Sequence, residues 1–237
     1  YGIPLFDNWE VVNITEVIRL LNQIENKELV LPEFQREFSW NRDQAKKLIS
    51  SFLNDFPTGA LLFWKTKENI ALKNMPDVEL DGRVEVILDG QQRLTTLYLL
   101  IKNEIPPYYT DADIGEGKDI RHLYYNLETG ELEYYMQKKM QNNPCWVRVT
   151  DCFSKEGINQ FEIAKELREK EDIDFESTIE TLYNNLKKLQ RIKEEDYKII
   201  YVKDSSDLQQ ALIVFDRINS AGTPLSQADI ALAHIVV

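Results

Sequence analysis

Cysteine and basic charge are both scarce in this chain. Its two cysteines, Cys145 and Cys152, are spaced neither as a redox C-x-x-C pair nor as a zinc framework, which predicts reduced structural thiols and suits a cytoplasmic protein. Lys and Arg number 28 against 40 Asp and Glu, for a formal net charge of -12. Broad nonspecific DNA binding draws its affinity from phosphate neutralisation, so this balance argues against it while leaving room for local basic pockets. There is no basic-then-apolar leader and no apolar run near the roughly 18 residues of a membrane span, which predicts a soluble protein with no membrane partner. No G-x-x-x-x-G-K-[ST] phosphate loop occurs either.

What is present is a 237-residue chain with 43% hydrophobic and 11% aromatic content, enough for a substantial core and read here as one elaborate domain. It starts at Tyr1 and stops in the apolar run Ile230 to Val237 without a C-cap, so a piece of a longer protein is expected. Asn13 or Thr15 is expected to cap a helix carrying Val17, Ile18, Leu20, Leu21 and Ile24 on one stripe, followed by a strand at Leu29 to Leu31. Helical spacing recurs from Asn41 to Asn54, and Pro57-Thr58-Gly59 turns the chain into a strand at Ala60 to Trp64. A loop over 65 to 82 leads to the strand Val84 to Leu88 and a helix running from Leu94 to Lys102. Strands are expected at Leu123 to Leu127 and Trp146 to Val149, and a charged helix pair between Ser154 and Lys193. A strand at Tyr197 to Val202, a helix ending near Asn219, and a last helix capped by Ser226 and Asp229 complete the reading.

Three segments carry candidate chemistry. In the first, an apolar strand runs through Asp89-Gly90-Gln91-Gln92-Arg93 into an apolar helix, so that the amides of the helix's first turn face an anion which Gly90 does not obstruct. Arg93 suits a bidentate phosphate contact, Thr95 and Thr96 offer hydroxyls, and Asp89 suits a metal ion, a water or a ribose hydroxyl. The same residues also suit a plain Asp-Gly turn with an ordinary ion pair. In the second, Pro32 and the aromatics Phe34, Phe38 and Trp40 pin Gln35 and Arg36, whose guanidinium suits a phosphate, or a stack on a core ring. In the third, Phe215 to Ser226, Asn219 suits a base edge, water or metal, while Asn and Gly are equally ordinary helix terminators.

Taken in order, L-P-E-F-Q-R-E-F-S-W at Leu31 to Trp40, P-T-G-A-L-L-F-W at Pro57 to Trp64, D-G-Q-Q-R-L-T-T-L at Asp89 to Leu97 and F-D-R-I-N-S-A-G-T-P-L-S at Phe215 to Ser226 resemble the amino-terminal domain of GmrSD-type modification-dependent restriction endonucleases. The resemblance spans nearly the whole chain, with the stretch from Ile105 to Lys193 alike only in general character. It implies an α+β fold with a ParB/sulfiredoxin-like core, a small mixed sheet and additional packed helices, in which a G-x-x-R turn holds nucleotide phosphates. The implied division is a nucleotide-binding core over 1–105, an insertion of loop, strands and charged helices over 106–196, and elements completing the site over 197–237. Carried over by position, Gln35, Arg36, Gly90, Arg93, Thr95, Thr96, Arg217 and Asn219 bind nucleotide; Asp89, Gln91, Gln92 and Arg93 are catalytic, and Asp89 holds Mg²⁺ or another divalent cation.

The implied activity is binding and hydrolysis of a nucleoside triphosphate, coupled in phage defence to a downstream nuclease domain of the same or a partner chain. DNA is then a partner through the full-length protein. His122 and His234 stand in no H-N-H context, so the nuclease is expected outside this chain. A second expectation is a sensing module for nucleotide or DNA without turnover. Cutting of DNA by this domain itself is disfavoured by its acidic balance and by the want of a metal-ligand cluster.

Overall fold

The computed structural model describes residues 9–68, 70–75, 84–115, 119–170, 172–202 and 207–219. The chain begins with strand β1 (Trp9–Glu16), helix α1 (Val17–Glu25), strand β2 (Leu29–Val30), helix α2 (Arg42–Leu53) and strand β3 (Leu61–Thr66). Strand β4 (Val84–Asp89) then passes directly into helix α3 (Gln91–Ile101). After the one-turn helix α4 (Asp111–Ile114) come strands β5 (Leu123–Asn126) and β6 (Leu132–Tyr134), helix α5 (Gln137–Met140), strand β7 (Trp146–Arg148) and helix α6 (Val149–Cys152). The charged pair α7 (Gln160–Lys170) and α8 (Phe175–Gln190), strand β8 (Asp196–Val202) and helix α9 (Leu208–Asn219) complete it.

The fold is α+β. Five strands in the order β1-β8-β3-β4-β2 make a mixed sheet, parallel between β8 and β3 and between β4 and β2, and antiparallel elsewhere. Three strands, β6-β5-β7, make a separate antiparallel sheet. The β5–β6 turn forms because Asn126 Oδ1 accepts from the Glu128 and Thr129 amides, and Gly130 supplies a φ of 74°. Among the described residues, no helix is long and apolar enough to cross a membrane.

Local signals explain the elements that place the site. Val17, Leu20, Leu21 and Ile24 are buried on one stripe of α1, where replacing a fully buried leucine by alanine costs about 2–5 kcal/mol. The expected caps are not used: Asn13 and Thr15 belong to β1, paired with Ile199 and Tyr197 of β8, and the Val17 amide donates to Glu195 O instead. Strand pairing takes the backbone that a cap would need. In α2, Asn41 Oδ1 accepts from the Gln44 amide while Gln44 Oε1 accepts from the Asn41 amide, a reciprocal capping box that fixes where the helix starts. Helix α3 begins three residues before the sequence pattern predicts, because Gly90 turns into it with φ 100°. It is buried at every position from Gln91 to Ile101 except Arg93.

Candidate functional site

The site is built where β4 ends. A Cβ on Gly90 would collide with Leu61 Cδ2, and the positive φ strains other residues, so this position requires glycine on two independent grounds. No side chain caps α3, whose first intrahelical bond runs from the Leu94 amide to Gly90 O. The amides of Gln91, Gln92 and Arg93 therefore stand at the positive end of the helix.

The side chains that follow tie this junction to two loops. Arg93 Nη1 donates to Thr58 O at 2.6 Å, and Nη2 donates to Ala60 O at 2.8 Å and to Asp89 Oδ2 at 3.1 Å. Its guanidinium lies 6.0 Å from the centre of the buried Tyr197 ring, whose hydroxyl reaches towards Thr58 without a well-formed hydrogen bond and whose phenol burial pushes up. Gly59 (φ 82°) completes the turn, since a Cβ there would stand 2.9 Å from Arg93 Nη1. Gln92 does for the second loop what a strand does: Oε1 accepts from the Ser39 and Trp40 amides at 3.0 and 3.2 Å, and Nε2 donates to Glu37 O at 3.0 Å.

The same second loop is held from its other side. Gln35 Nε2 donates to Leu88 O in β4 at 2.7 Å, and Gln35 O accepts from Lys73 Nζ at 2.8 Å. Lys73, buried, also pairs with Glu37 Oε1 at 2.7 Å. Tyr109 donates to Arg36 O at 3.3 Å; burial, then Tyr108, Glu37 and Asp113, pushes its phenol far up, so it stays a donor. Arg36 is thus fixed at its backbone while its side chain is exposed.

The structure brings Gln35, Asp89, Gly90, Gln92 and Arg93 to one strand–helix junction in two bonded sets, Arg93 with Asp89 and the 58–60 turn, and Gln92 and Gln35 with the 35–40 loop, on which Arg36 is exposed. Gln91 is buried beside them, and its Oε1 has no hydrogen-bond partner. Thr95 and Thr96 face the interior: Thr95 Oγ1 shares a hydrogen bond of 3.2 Å with Tyr108, and Thr96 Oγ1 is buried without a partner. Arg217 and Asn219 lie on the last turns of α9, a helix that packs on β4, but their side chains and the Ser226 cap lie outside the described residues. Lys73, Tyr109 and Tyr197 escape the sequence reading. Lys73 reaches the site only because Leu72 bridges to Pro32, a pairing that no local pattern signals.

An uncharacterized protein of Methanocaldococcus jannaschii is 26% identical over 259 residues, covering 92% of this chain. The chain spans 41% of that protein's length. Residues 17–236 match the N-terminal domain of the GmrSD restriction endonuclease. Loops pinned to a glycine-started helix by Gln92 and Arg93 are thus carried by a chain that belongs to the GmrSD restriction endonuclease N-terminal domain family.

Proposed function

We propose that this chain binds and hydrolyses a nucleoside triphosphate and thereby regulates DNA cleavage by a nuclease domain in the same or a partner chain. The observation that supports this most is the start of α3: three amides uncapped by any side chain, with Asp89 fixed at their edge by Arg93. Backbone amides at a helix start favour phosphate oxygens without reorganising as charge develops.

In this reading Gln92 and Arg93 position the binding surface, and the exposed Arg36 meets the phosphates directly. Gln91, whose Oε1 lacks a partner, orients the attacking water. Among the described residues no three His, Cys, Asp or Glu side chains cluster as metal ligands. The donor set still fits Mg²⁺, which is commonly held by one or two carboxylates together with phosphate oxygens and water; here Asp89 is that carboxylate. Bound there, the ion would neutralise phosphate charge.

The engagement of Gln92 and Arg93 by protein carbonyls and amides favours a second reading, a nucleotide sensor without turnover. Calorimetric titration with each nucleoside triphosphate in Mg²⁺, alongside a phosphate-release assay, separates the two. Saturable binding with release supports hydrolysis, and binding without release supports the sensor. Absence of binding for every triphosphate defeats both.

A further inference from the structure

One face of the three-stranded sheet is covered; the other is buried at its Asn126–Trp146 end and more open around Tyr124 and Tyr135. Leu123, Tyr125 and Leu132 are buried on the covered face. Alternation along the strands turns Tyr124, its cross-strand partner Arg148 in β7 and Glu133 in β6 to the other. There the rings of Tyr124 and Tyr135 lie 5.8 Å apart at 51°, and Tyr135 and Met136 are 55% and 50% exposed. Lys139 covers the Trp146 ring at 5.2 Å. The Arg148 Nε is buried without a hydrogen-bond partner, and Asp151 Oδ1 is 3.9 Å from it.

Charge sets this patch apart from the rest of the molecule. In a chain of net charge -12, the stretch from Tyr134 to Thr150 contains Lys138, Lys139 and Arg148 and no acidic residue. The bordering carboxylates each stand against a cation, Glu133 with Lys46 at 2.7 Å, Glu131 with Lys139 and Asp151 with Arg148 at 3.9 Å, which leaves Lys138 as the excess positive charge of the stretch. Rings with cations beside them suit a ligand that has both flat faces and negative charge. A peptide of acidic side chains would use the cations and leave the rings idle, and a duplex keeps its base faces stacked inside.

We propose that this open face binds single-stranded nucleic acid, with Tyr124 and Tyr135 stacking on bases and Lys138 and Arg148 meeting phosphates. The surface is separate from the α3 start and does not depend on nucleotide binding there. Lys46 and Arg42 of α2 brace it, the latter lying 5.2 Å from the Tyr134 ring centre, so the strand that carries the platform is held rigid.

Fluorescence anisotropy with a labelled oligothymidylate of about ten nucleotides tests this. Tyr135→Ala is expected to weaken binding about tenfold, and Tyr135→Phe to retain it, because stacking needs the ring and not the hydroxyl. Lys138→Glu is expected to weaken it too, and two phosphate contacts predict a slope of about -1.4 for log affinity against log salt. Tyr135 is exposed, so its variants should melt with the wild-type chain. The proposal is overturned if the wild-type chain leaves the anisotropy unchanged, if Tyr135→Ala binds as tightly as wild type, or if polyglutamate displaces the oligonucleotide as well as unlabelled oligothymidylate does.

Discussion

Arg93 and Asp89 meet one helical turn apart, Nη2 3.1 Å from Oδ2, across the glycine that ends β4 and starts α3. The contact is 35% exposed on the carboxylate side and 13% exposed on the arginine side, and the same guanidinium spans two carbonyls of the 58–60 turn. A planar fork that satisfies three acceptors at once is something lysine cannot imitate. Arg93→Lys is therefore expected to lose nucleotide affinity along with the turn geometry, at a stability cost of about 1–3 kcal/mol. Chemical denaturation together with nucleotide titration checks this; unaltered affinity in the variant would argue that the turn plays no part in binding.

Arg36 separates binding from building. Its side chain is exposed and its backbone is held by Tyr109, so Arg36→Ala should change stability by less than about 0.5 kcal/mol. The expected loss is in nucleotide affinity, about tenfold, as for a charge-assisted contact. Equal affinity in the two proteins would remove Arg36 from the site.

Gln92→Ala should loosen the segment it holds without disturbing the rest of α3. The amides of Ser39 and Trp40 lose their acceptor and Glu37 O its donor, at a cost of about 1–3 kcal/mol. Hydrogen exchange at Ser39 and Trp40 should accelerate, and Gln92→Glu, which keeps the acceptor, should restore much of the protection. Exchange that stays slow in Gln92→Ala would show that other contacts hold this loop.

Alkaline pH should unfold the protein through groups that the fold keeps neutral. Burial, with Asp151 nearby, pushes the Cys152 thiol up to about 12, and burial likewise raises Tyr98 and Tyr125 to about 12. A raised folded value means that stability is complete below the ordinary thiol and phenol values, about 9 and 10. It is then lost as pH climbs toward 12, because the unfolded chain ionises first. Urea midpoints should be flat from pH 7 to about 9 and fall steadily beyond it, with Cys145 and Cys152 resisting alkylation until the chain unfolds. A midpoint at pH 11 equal to that at pH 8 would contradict this.

Much of the scaffold was legible in local pattern. The helix that starts at Asn41, the apolar stripe of α1, and the strand, glycine and helix around Asp89 and Gly90 are short-range features, and each stands within a few residues of its predicted place. Strand β1 was not legible, because its partner β8 lies some 180 residues away and its Asn13 and Thr15 resemble caps. In the site, the sequence marked Gln92 and Arg93 but not how they are used. Their partners at 37–40 and 58–60 are carbonyls and amides, which have no side-chain signature. Lys73 was invisible for the same reason, being defined by Gln35 O and Glu37 once the chain has folded.

The most direct test of the account is a crystal structure of the chain grown with Mg²⁺ and a non-hydrolysable nucleoside triphosphate. Phosphate oxygens are expected within hydrogen-bond distance of the amides of Gln91, Gln92 and Arg93, with the Arg36 guanidinium turned onto them and Asp89 beside the cation. Phosphates bound elsewhere, with the α3 amides left to water, would contradict it.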